Sequence, residues 1–91
     1  MEKQSWRELV QRVIKTEMSF RGVKYQALSQ RLEEKGIIQS ADNLRNKVNK
    51  GIMGADLFLQ ILVVLNARPL NVADMQEIIG DLSRNTHEDD E

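Results

Sequence analysis

Cysteine is absent from this chain of 91 residues. Its absence excludes disulfides, thiolate nucleophiles and thiolate-held zinc or iron–sulfur centres. Histidine occurs once, as His87, inside the acidic terminus "HEDDE". Metal and nucleophilic catalysis are therefore left almost without raw material. The glycines of "GIMG" lie between helical stretches rather than after a strand, so no phosphate loop is legible either. The expectation is a protein that is not an enzyme and needs no cofactor. Apolar runs fall well short of the roughly 18 residues a membrane span requires. The N-terminal "MEKQSWRELVQRV" has no uninterrupted apolar core of the secretory kind. A cytoplasmic protein with no membrane partner is expected.

The charge that is present is unevenly placed. The formal net charge is only −1. Residues 1–50, however, hold eleven Lys and Arg against six Asp and Glu, a balance of +5, whereas residues 51–91 hold two against eight, a balance of −6. A polyanion-facing half and a solvating half would give this pattern, and so would helices that merely carry mixed surface charge.

Apolar residues recur at helical spacing along the chain, and no stretch alternates as a strand does. The pattern predicts an all-α domain, a compact five-helix bundle over residues 1–83, followed by a disordered acidic tail at 84–91. Ser5 and Glu8 form a capping box that opens helix one, whose stripe is Trp6, Leu9, Val10, Val13, Ile14 and Met18. Helix two runs from Lys24 to Lys35 on Tyr25, Leu28 and Leu32. Ile37 and Ile38 plug the following connection. Helix four, "LFLQILVVL" from Leu57 to Leu65, is apolar nearly all round, so it is either the central element or partly covered by a second copy. Pro69 breaks it, and Asn71 caps a last helix with the stripe Val72, Met75, Ile78, Ile79 and Leu82.

Helix three carries the most informative pattern, "SADNLRNKVNKG". Ser40 is its N-cap and Gly51 its C′ residue. With Leu44 at the centre of the buried side and about 100° per residue, Val48 falls roughly 40° away, whereas Asn46, Asp42 and Asn49 lie about 140–200° away. The outward face therefore holds amides fringed by Arg45, Lys47 and Lys50, with Asn43 on the flank. Asparagine pairs bidentately with adenine and arginine with guanine in the major groove, while rim lysines neutralise phosphate. Asparagine is a mediocre helix former, so it is not here for helicity. A solvated polar face is the plainer reading of the same row. Asp42 suits DNA only if it accepts from a cytosine amino group or caps the helix locally.

A capped helix following a glycine-ended turn, with a buried helix after it, fits the helix-turn-helix plan, in which the second helix enters the groove. The candidate DNA contacts are then Lys24, Tyr25 and Gln26 at the start of helix two, with Ser40, Asp42, Asn43, Arg45, Asn46, Lys47, Asn49 and Lys50 on helix three. Tyr25 also suits a core edge with its hydroxyl in water. The segment "GVKYQALSQRL" resembles the motif opening of the lambda-repressor-like, Cro/C1-type helix-turn-helix family, with Leu28 and Leu32 at its core positions. The chain is also similar to a family of small bacterial domains of unknown function. That likeness rests on Lys15, Glu17, Met18, Gly22, Val23 and Tyr25, then Leu44, Arg45, Asn46, Lys47 and Gly51, then Phe58, Leu59 and Gln60, across approximately residues 6–66. The resemblance implies a helix-turn-helix-like fold. Against the Cro/C1-type pattern, "EEKGIIQS" is a longer connection, and Leu44 and Val48 are spaced by four rather than three.

Two functions are compatible with this pattern. One is a sequence-specific regulator binding double-stranded DNA as a homodimer. The other is a protein-interaction module, antitoxin-like or phage-encoded, that covers a protein partner; a DNA-binding antitoxin satisfies both. Leu59, Val63, Val72, Met75, Ile79 and Leu82 exceed the apolar surface a small domain readily buries. They form a dimer interface, or helix five folds back over helix four within the monomer.

Overall fold

Five helices form where apolar residues recur every three or four positions: α1 (Glu2–Arg21), α2 (Tyr25–Glu34), α3 (Ala41–Lys50), α4 (Ala55–Val64) and α5 (Val72–Asp90). The computed structural model describes the backbone of residues 2–90 and the side chains of residues 5–84. No strand occurs among the described residues. The expected acidic tail, with His87, falls almost wholly on side chains outside that set, and the α5 backbone itself continues to Asp90.

The core is built by the first four helices. Ile14, Leu28, Leu32, Leu44, Val48 and Ile61 are wholly or almost wholly shielded from solvent. Helix α1 packs on α3 and α5, and α2 packs on α3 and α4. The result is a compact all-helical body with extents of 47 × 24 × 22 Å. No described helix is long and apolar enough to cross a membrane.

The first four helices end by one device, a left-handed residue with crossed backbone hydrogen bonds. In α3, Gly51 takes φ 65°, its N–H donates to Val48 O at 3.0 Å, and the Ile52 N–H donates to Lys47 O at 3.1 Å. These bonds satisfy two carbonyls the helix leaves open. A Cβ at Gly51 would run into the backbone carbonyl of Arg7 on α1, so this position is also a close helix–helix approach. In α4 the same role falls to Asn66, at φ 53°, with its N–H on Val63 O and the Ala67 N–H on Leu62 O. Asn66 tolerates this backbone better than most side chains. The helix is thus closed three residues before Pro69, which the sequence pattern credits with the break.

Other local expectations also change. Helix α1 begins at Glu2, so Ser5 is not its cap; it lies inside the helix and is buried. Trp6 stands 55% exposed, off the buried stripe. Ile37 packs against the core as expected, but Ile38 is 76% exposed. Helix α5 lies along α1 rather than folding back over α4.

One polar lock joins distant parts of the chain. Glu17 of α1, which is buried, accepts from Arg68 Nε at 2.9 Å and from the Arg68 backbone N–H at 3.4 Å. Arg21 adds an ion pair at 3.6 Å. Burial alone would raise the Glu17 pKa, but the Arg68 hydrogen bonds and the two positive charges outweigh it and hold the carboxyl below its ordinary value. The same two arginines lie over the exposed Phe20 ring, with the Arg68 guanidinium 4.5 Å and that of Arg21 5.3 Å from its centre.

Candidate nucleic-acid interface

Helix α3 is fixed at both ends and along its inner edge. The Ser40 hydroxyl accepts the Asn43 N–H at 3.0 Å, Gly51 closes the C-terminus, and Leu44 and Val48 are fully buried. An anchored helix of this kind presents its remaining residues at fixed angles, so their placement is set by packing rather than by side-chain choice.

The outward residues fall into two groups. Towards the N-terminus they are engaged within the molecule. Arg45 donates to Asp42 at 2.6 Å and lies 5.3 Å from the centre of the Tyr25 ring. Asn43 Nδ2 donates to Gln39 Oε1 at 3.2 Å, and Lys47 Nζ donates to the same oxygen at 3.3 Å. Gln39 is itself held, because its backbone carbonyl accepts from the Ser29 hydroxyl at 2.6 Å. Towards the C-terminus, Asn46, Asn49 and Lys50 are exposed, and among the described residues their side chains make no hydrogen bond or ion pair. Unused donors and acceptors on an anchored helix are available to a ligand at no cost in broken contacts.

The start of α2 adjoins this face. Lys24 is the N-cap residue but supplies no side-chain cap, and no acidic residue stands in the first turn. Lys24, Tyr25 and Gln26 border a cavity of about 510 Å³ together with Lys15 of α1 and Arg45 of α3. Tyr25 is half-buried against the core, as its core-edge reading expects, and also lines this cavity. Burial raises its pKa, with Arg45 partly opposing the rise. Lys15 and Gln39 are the contributors that sequence reasoning missed. Nothing in their spacing announces a contact made across helices.

The apolar residues assigned to an interface are distributed differently. Leu59 is 57% exposed, Val63 70% and Val72 63%, while Met75 and Ile79 are half-buried. Leu82 is only 7% exposed and faces α1 beside Arg12 and Thr16, so it belongs to the monomer's interior and leaves the set. Leu70 joins instead: it is exposed and shares a cavity of about 460 Å³ with Leu59, Val63 and Pro69.

Residues 6–70 match a family described as Domain of unknown function (DUF6471). No curated protein and no solved structure matches the chain.

Proposed function

From the premise that this chain belongs to the DUF6471 family, whose description assigns no activity, we propose that it is a sequence-specific DNA-binding protein of the helix-turn-helix type, with α3 as the groove-entering helix. The observation that carries the reading is the unpartnered edge Asn46–Asn49–Lys50 on a helix whose other edge is locked into the core. Asn46 and Asn49 are one turn apart, which lets two amides reach neighbouring base edges, each bidentate pair being worth about 1–3 kcal/mol of discrimination. Lys50 and Lys24 meet phosphates and set the register. Arg45 is tied to Asp42 and Tyr25, so it reaches a guanine only by exchanging one partner for another. Helix α2 lies across the backbone, joined to α3 by a connection longer than the Cro/C1-type pattern has.

A regulator of this kind reads a near-palindromic site as a homodimer, and the bare side of α4 supplies apolar surface for pairing. The bare α4 face also favours a second reading, a module that covers a protein partner with Leu59, Val63 and Leu70. A salt titration of binding to duplex genomic fragments tests the first reading. The expected result is log K falling linearly with log[salt], with a slope of about −0.9 per phosphate neutralised. Absence of duplex binding at low salt, with recovery of a stoichiometric protein partner from nuclease-treated lysate, would replace it with the second.

A further inference from the structure

Three cations from three separate elements border the open cavity at the start of α2: Lys15 from the middle of α1, Lys24 from the α1–α2 turn and Arg45 from α3. Among the described residues no carboxylate lines it, and its floor is apolar, with Met18, Val23 and Ala41. Arg45 is already paired with Asp42, so Lys15 and Lys24 are the two cations of the hollow outside any ion pair among the described residues, and their field favours an anion there. The backbone points the same way. Helix α2 opens without a side-chain cap and without an acid in its first turn, so among the described residues the N–H groups of Tyr25, Gln26 and Ala27 have no acceptor. Such N–H groups, with the positive end of the helix dipole, favour a tetrahedral anion. Arg45 keeps one guanidinium nitrogen on Asp42 and leaves further donors for the cavity side.

We infer that this cavity is a phosphate-binding site, in which Lys15, Lys24 and Arg45 surround one phosphate group and the first turn of α2 donates backbone hydrogen bonds to it. Lys15 has no place in the α3 reading, and it brings α1 into the site. The phosphate belongs either to a nucleic-acid backbone or to a free phosphate-bearing molecule. Only the first source rests on the DNA-binding proposal.

The test uses the full chain and two probes, inorganic phosphate and a duplex oligonucleotide, with Lys15→Gln beside Lys35→Gln as a control of equal charge outside the cavity. Phosphate titration followed by amide NMR is expected to shift Gln26, Ala27 and Arg45 in the native chain and in Lys35→Gln, and to leave them nearly still in Lys15→Gln. If duplex DNA binds, Lys15→Gln lowers the salt slope by about one and weakens all sequences alike, which assigns the site to the backbone. If phosphate shifts those amides in a Lys15-dependent way but no duplex binds, the site stands as one for a free phosphate compound while the DNA reading fails. If phosphate moves no amide at the α2 start and Lys15→Gln leaves the salt slope unchanged, the proposal is overturned whatever α3 does.

Discussion

Single residues carry two of the strongest constraints in this fold. Gly51 is both left-handed and in contact distance of α1, so Gly51→Ala brings backbone strain and a collision with the Arg7 carbonyl together. The expected loss is at least about 2 kcal/mol, read as a lower midpoint in thermal or urea unfolding. A midpoint within error of the native chain would mean that α1 and α3 do not approach as described. Glu17 gives a constraint that depends on pH. Its carboxyl titrates below its ordinary value of 4.5 because Arg68 and Arg21 favour the ionised form. The stabilisation is therefore full above the unfolded-state value and is lost as pH falls through the folded-state value. Glu17→Gln should cost about 2 kcal/mol at pH 7, and the difference from the native chain should shrink steadily as unfolding is repeated from pH 5 towards pH 3. A constant difference across that range would show that the charge on Glu17 is not what holds Arg68.

At the scale of elements, much of the plan was legible. The periodicity locates all five helices, and Ser40, Asn71 and Gly51 mark ends because their local chemistry alone fixes cap geometry. Asn71 caps α5 with its side-chain oxygen on the Asp74 N–H at 2.7 Å. Leu44 and Val48 were legible as the inner edge of α3 for the same local reason. What could not be read were contacts between elements. No spacing rule pairs Glu17 with Arg68, places Lys15 beside Arg45, or says that α5 lies on α1. For Leu82 the sequence leaves a dimer interface and packing within the monomer both open, because a stripe shows which side of a helix is apolar but not what that side meets. Helix α4 shows the converse, because an all-apolar sequence does not ensure a fully covered helix. Leu59 and Val63, one turn apart, remain in water. Replacing both by Lys should leave monomer stability nearly unchanged and shift a sedimenting dimer to 10.5 kDa. Sedimentation of the native chain as a monomer at micromolar concentration would remove the homodimer.

For the whole molecule, the balance of +5 in residues 1–50 gains meaning from where the ion pairs lie. Among the described cations of that half, only Arg21 and Arg45 sit in ion pairs, whereas Arg68 and Arg84 of the second half are both paired, with Glu17 and Asp81. The positive half thus keeps most of its charge unneutralised, and the second half does not supply the missing acids. Counterions must occupy such a surface in the isolated protein, and their release is what makes a polyanion partner favourable. Part of the surplus lies near α3, where Lys15, Lys24 and Arg45 border one cavity, whereas Arg31 reaches the Val64 carbonyl of α4 and Arg12 lies towards α5.

Sequence readout by Asn46 and Asn49 of α3 is open to direct measurement by competition anisotropy. A duplex selected from genomic fragments is titrated with the native chain and with the Asn46→Ala/Asn49→Ala variant, each against an unrelated duplex of equal length. The account predicts that the native chain prefers the selected duplex. The variant, folded and with its salt dependence intact, should bind both duplexes with the affinity the native chain has for the unrelated one. An undiminished preference in the variant, or a native chain that binds no duplex at low salt, would contradict it.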